Sequence, residues 1–316
     1  MRLIKIEKSI VSLLMATVVL LTAGSNTHVL FGHNFSPDES ASFLALVNTI
    51  KGEAQLVRQN IASNNMSLAS DHANKALAMM TDDVNKEIAE RNQRLSDDLN
   101  TDLASLKAST EPTSGNNTAS NIDADILVDD INGILDEIVT ARIDPDQLNN
   151  STIQALATVE LLDEVLRNYG DAFAVKYDMT DMSMMTMGSD NDSTSSNGGN
   201  GTTSRDSMST MNMDDYNMSM EDMSNSSGKL VNVTDYQTAQ AIAMKVQELF
   251  DDQIMTNSLS EDSESVDQSI NNTSTALKEL VTSIDGKSSP MDIMTIVHTK
   301  IHPNLMTTFG LQLEND

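Results

Sequence analysis

Apolar residues recur at three- and four-residue spacing through most of this chain. Phe43, Leu46, Val47, Ile50, Ala54, Val57 and Ile61 share one face of a helix. Ser36-Pro37-Asp38-Glu39 in front of them offers a capping serine, a proline at the first helical position and a glutamate three residues after the cap. Asn64-Asn65 breaks this helix, and a second carries Leu68, His72, Ala73, Ala76, Leu77 and Met80. His72 on that apolar face reads as a core histidine whose ring finds partners inside. Thr81 caps a long charged helix with Val84, Ile88, Leu95, Leu99, Leu103 and Leu106, reaching about Lys107.

Beyond a linker with Pro112 and Gly115, a helix from about Ile122 to Ala141 turns Ile126, Ile131, Leu135, Ile138 and Val139 inward. Asp144-Pro145-Asp146-Gln147 repeats the cap-and-proline pattern and opens one helix through Leu166 to Tyr169, ended by Gly170. Later, Thr234 caps a helix through Ile254, another spans about 262–284, and Ser289-Pro290 opens the last. The predicted fold is all-α, with antiparallel helical bundles packed up and down.

The periodicity stops between Asp178 and Gly228. Those 51 residues contain no Ala, Val, Ile, Leu or Phe, yet hold 11 of the 21 methionines. Without apolar residues to bury, the stretch is predicted to be a long disordered Met/Asp/Ser-rich insert. The organisation expected is a signal peptide (1–25), a flexible arm (26–35), helical segments 36–108, 122–177 and 229–310, a linker 109–121, the insert 178–228 and a tail 311–316.

Composition adds direction to this. Arg2, Lys5 and Lys8, an apolar run from Ile10 to Leu21 and Ala23-Gly24-Ser25 have the order of a secretory signal, too short in its apolar part for a membrane span. The expected address is therefore secreted or cell-surface, with no integral span after cleavage. Loss of residues 1–25 moves the net charge from −28 to −30. Such a charge disfavours nucleic acid and anionic lipid and favours cations. Twelve Asn-x-Ser/Thr sequons are compatible with glycosylation outside the cell. Cysteine is absent, which removes thiolate chemistry and Cys-based zinc sites.

Any soft-metal chemistry must then use methionine. Met179, Met182, Met184, Met185 and Met187 form one cluster; Met208, Met211, Met213, Met218, Met220 and Met223 form a second. Both repeat Met-x-Met and Met-x-x-Met. Thioether sulfur is a soft, uncharged ligand that selects Cu(I) over hard cations, and two or three must reach one ion. Met182-Ser183-Met184-Met185-Thr186-Met187, Met211-Asn212-Met213 and Met218-Ser219-Met220 resemble the methionine motifs of copper-resistance proteins and of copper-transporter extracellular tails. The helical remainder, with its Val297-His298 to His302-Pro303 ending, resembles uncharacterised exported proteins of ammonia-oxidising archaea, a likeness that implies no activity.

Three histidines extend the candidate set. Cleavage after Ser25 would leave Asn26-Thr27-His28 at the N-terminus. A free amine, two amides and the His28 imidazole then make a square-planar set for Cu(II) or Ni(II). His298 and His302 stand four apart, the spacing that lets two imidazoles share an ion on one helical face. The simpler explanation of the pair is a helix C-terminus, where the helix dipole stabilises histidines, and a shared ion is the second. Pro303 disfavours helical geometry at His302, and His298-Thr299-Lys300-Ile301-His302 lacks the glutamate of a zinc-protease helix.

No nucleophile motif or phosphate loop is present, so catalysis is not expected. The sequence supports an exported copper-binding protein that scavenges, buffers or delivers, with metal ions and a copper-accepting protein as partners. The competing expectation is a cell-envelope structural or interaction protein in which the insert is a spacer.

Overall fold

The computed structural model describes residues 37–111, 121–181, 228–254 and 264–311. The signal segment, His28 and the ten insert methionines from Met182 to Met223 lie outside the described residues. Among the described residues 85% are helical and none is in a strand, as the apolar periodicity requires.

The order is α1 (Pro37–Ala62), α2 (Met66–Ala78), α3 (Asp82–Thr110), α4 (Asn121–Arg142), a single turn α5 (Pro145–Leu148), α6 (Ser151–Ala172), α7 (Val233–Leu249), α8 (Glu264–Asp285), α9 (Pro290–Ile296) and α10 (His302–Phe309). Helix α7 runs on into a widened π turn, Phe250–Ile254, and a second π turn, Val297–Ile301, joins α9 to α10.

Side chains that satisfy the first free amides set most starts. Asn65 caps α2, Thr81 caps α3, Asp144 caps α5, Asn150 caps α6 and Asn232 caps α7. Ser289 and Asp292 form a reciprocal capping box at α9. Asn65, Asn150 and Asn232 also head sequons, so each of these asparagines has a structural task in its own right.

Four expectations need correction. The cap of α7 is Asn232, not Thr234, because the Asn232 side chain accepts the Asp235 amide at 3.2 Å. The predicted helix from Asp144 breaks at Asn149–Asn150 and is recapped there. Ile126 is 55% exposed, because the buried face of α4 is Ala124, Val128, Ile131, Leu135 and Ile138, a four-three repeat that leaves Ile126 on the far side. Finally, α3 is not one rod. Asn92 has φ −156 and ψ 96, outside the helical region. The Ser96 hydroxyl donates to the Asn85 carbonyl and Oδ1 at 3.3 and 3.2 Å. Eleven residues of straight helix would separate those groups by about 16 Å, so the chain folds back at Asn92.

Two apolar cores share α1 and α6. One is built from α1 to α4 with the start of α6, through Val47, Ile50, Leu99, Leu103, Leu135 and Ile153. The other is built from the rest of α6 with α7 to α10, through Leu162, Tyr169, Ile242, Phe250, Leu277 and Ile301. A polar cluster crosses between them. The Glu53 side chain is fully buried and accepts from His72 Nδ1 at 2.7 Å and from the Thr238 hydroxyl at 2.7 Å. His72 Nε2 donates to Gln237 Oε1 at 2.9 Å, and the same oxygen receives the Asn60 amide at 3.0 Å. The His72 ring is thus held between two oxygens, the Glu53 carboxylate and the Gln237 side-chain carbonyl. Lys75 adds Asn168 and Asp235, each at 2.8 Å. The cluster thereby joins α1, α2, α6 and α7.

Removing one member of a buried charged pair leaves the other unpaired, at a cost of about 3–5 kcal/mol. Glu53→Ala is therefore expected to lower stability by that order in chemical denaturation, while Ile126→Ser, on an exposed position, changes it by less than about 0.5 kcal/mol. Equal effects would contradict this assignment of the core.

Candidate metal centre

The insert leaves and re-enters the fold at one place, the C-terminus of α6. Gly170, expected to stop that helix, lies inside it, and Ala172 is its last residue. Ala174 adopts the left-handed conformation with φ 53. Its amide reaches the Asp171 carbonyl at 3.2 Å, and the Val175 amide reaches the Gly170 carbonyl at 2.9 Å, the paired bonds of a Schellman ending.

The chain then turns back over the helix. Asp178 Oδ1 accepts the Thr180 amide at 2.9 Å and the Thr180 hydroxyl at 2.8 Å, a local Asx turn. Met179 is thereby carried into the core, where it is 2% exposed. Its sulfur would stand 3.1 Å from a Cβ at position 170, so the absence of a side chain at Gly170 is what lets Met179 lie there. Met179 was expected among the flexible thioethers; it is instead a packed residue at the root of the insert.

The returning strand of chain is fixed just as closely. Gly228 lies against Phe173, and the Val231 and Asn232 amides both donate to the Ala172 carbonyl, at 2.8 and 3.1 Å. Both roots of the segment 182–227 are thus held on the same turn of α6.

Beside this root stand the two C-terminal histidines. Pro303 has no amide to give and its ring crowds the carbonyl four residues back, yet the helix does not end there. The backbone widens over Val297–Ile301, and the His302 amide bonds to the Val297 carbonyl, five residues back. His302 keeps helical angles, φ −54 and ψ −48, which corrects the expectation that Pro303 pushes it out of the helix. Nor do the histidines lie at an exposed helix end: His298 is 3% and His302 4% exposed.

Their rings stand 5.2 Å apart, centre to centre, at 67°. His298 Nε2 lies 2.9 Å from the Met179 carbonyl, which can only accept, so that nitrogen carries a proton and, in the neutral ring, Nδ1 bears the lone pair. Among the described residues, His298 Nδ1 and both nitrogens of His302 have no hydrogen-bond partner. Burial, and then the neighbouring His298, lower the His302 pKa from 6.5 to about 4. On the outer side of α6, burial raises Asp163 from 3.8 to about 6, against the pull of Arg167 and with help from Glu160 and Asp178.

The structure therefore brings Met179, His298 and His302 to one region, a juxtaposition across 119 residues of sequence that periodicity does not reveal. Among the described residues, no three or more His, Asp or Glu side chains gather as a metal-holding group, and no helix is long and apolar enough to cross a membrane. Comparison with protein-family models, curated proteins and solved structures finds no match to this chain.

His302 makes a pH prediction for the protein kept metal-free with chelator. A folded pKa of about 4 against 6.5 unfolded means the unfolded chain takes up the proton first as pH falls. Its contribution is present above pH 6.5 and is lost toward pH 4, to an upper limit of about 3 kcal/mol. Asp163 works in the opposite sense, losing stability as pH rises from 3.8 through about 6. The stability difference between wild type and His302→Gln isolates the histidine: it should shrink between pH 7 and pH 4.5, and a pH-independent difference would contradict the assignment.

Proposed function

We propose that this is an exported copper-binding protein that holds several Cu(I) ions through the thioethers of its insert, for scavenging, buffering or delivery. The observation that carries the reading is the clamped root. The segment 182–227 brings ten methionines, seven acidic residues and one arginine between two ends fixed on the Ala172 carbonyl and the adjoining turn.

Once one thioether has captured an ion, the next is tethered to the same short root. With methionines spaced two or three residues apart in the sequence, its effective concentration is on the order of millimolar, so second and third ligands bind without a new encounter. Uncharged sulfur ligands leave the ion its positive charge, and the insert's carboxylates, within a chain of net charge −28, raise the local cation concentration. Sites that share ligands exchange ions readily, which suits passage of copper to an accepting protein.

Ten thioethers at two or three per ion give roughly three to five ions per chain. An anaerobic Cu(I) titration against a chromophoric chelator should find several equivalents on the full-length chain. A full-length chain with serine at the ten insert positions should lose most of them. Equal stoichiometry in the two chains would overturn the reading and favour the insert as a spacer.

A further inference from the structure

We propose that His298 and His302 form a separate, buried site for one soft monovalent cation of the Cu(I) and Ag(I) class. This site stands on the described fold alone and does not require the insert to bind metal.

The first support is unmet valence. Buried polar atoms are almost always paired, yet three of the four ring nitrogens here have no hydrogen-bond partner among the described residues, in side chains that are 3% and 4% exposed. For His298 the tautomer is settled: Nε2–H is spent on the Met179 carbonyl, so Nδ1 presents a lone pair to its buried surroundings. His302 has a lone pair on one nitrogen in either neutral tautomer.

The second support is spacing. Two imidazoles bound to one ion at about 2.0–2.1 Å place their ring centres roughly 5–6 Å apart when the nitrogen–metal–nitrogen angle is bent. The observed separation is 5.2 Å. It is set by the π turn between the two residues, a helical irregularity found preferentially at functional positions. A regular helix would not need the widened turn; Pro303 imposes it.

The third support is charge. Both ligands are neutral, and among the described residues no carboxylate joins them in a metal-holding group. The solvation cost of burying an ion rises with the square of its charge, so a divalent ion costs roughly four times as much as a monovalent one. A buried pair of imidazoles without a counter-charge therefore favours a d10 monovalent ion that is content with two or three ligands. A bent pair leaves a third position open.

The test uses Ag(I), which has the same charge and softness, on full-length protein with 15N-labelled histidine. In the chain with serine at the ten insert positions, one equivalent of Ag(I) should shift His298 Nδ1 and one His302 nitrogen together, leaving His72 in place. His298→Gln should abolish the shift at His302 while circular dichroism stays helical; if that variant unfolds, the response of the chain with an intact pair decides alone. Unshifted His298 and His302 resonances after several equivalents would overturn this site, even if the wild-type chain bound Ag(I) through its methionines, and the insert reading would survive. A shift in the serine chain, with wild type binding one ion only, would leave this site and remove the insert reading.

Discussion

The pairing of α6 with α7 is the constraint on which the rest of the molecule depends. It is the most extensive helix pairing in the fold, yet 60 residues separate Ala172 from Val233. The entropic cost of closing so long a connection grows slowly, by about 0.6 kcal/mol for each doubling of length. A pair held by Tyr169, Ile242, Val246 and their neighbours in the second core can therefore carry an insert of almost any composition. What it must do is fix the two roots: the Ala172 carbonyl receives the Val231 and Asn232 amides of the returning root, and the outgoing root is held by the Schellman bonds of Ala174 and Val175 and by Met179 against Gly170.

The first core and the second are held in register by charge rather than by apolar contact alone. Buried Glu53, His72 and Thr238 and half-buried Lys75, Asp235 and Gln237 form a cluster whose members come from three helices. This is a demanding arrangement, since every member must be satisfied for any to be tolerated. The contrast with the C-terminal pair is informative. His72 has an oxygen at each nitrogen, and His302, equally buried, has none. The two histidines share a residue type and a depth, and differ in whether the fold completes their bonding.

Much of the fold was legible in the sequence because its signals are local. Pro37, Thr81, Asp144 and Ser289-Pro290 mark helix starts through their own backbone and side-chain chemistry, and the apolar stripe of α1 names its buried face. The misreadings share a cause: they concern positions where tertiary packing overrides a local signal. Gly170 looks like a stop, but its missing side chain makes room for Met179, while the left-handed residue that ends the helix is Ala174, for which composition gives no warning. Ile126 is apolar and exposed because the buried stripe of α4 runs through Ala124 and Val128, on the opposite side of the helix. At the Asn92 break in α3, Ser96 and Asn100 both donate to Asn85 Oδ1 across the fold. Pro303 bends the hydrogen-bonding pattern rather than ending the helix, since Ile301 and Leu305 on either side are fully buried. The spacing of His298 and His302 was visible from the start; their burial and their link to Met179 were not, because both depend on a chain reversal 119 residues away.

In this account the chain divides its ligands by environment: thioethers between fixed roots for capture and exchange, and a buried imidazole pair beside the root. The central claim is that sulfur holds most of the copper. X-ray absorption at the copper edge, on anaerobically loaded full-length protein, reads the ligand atoms directly. The account predicts a first shell dominated by sulfur at about 2.3 Å, with a minor imidazole contribution. A shell of nitrogen and oxygen alone would contradict it.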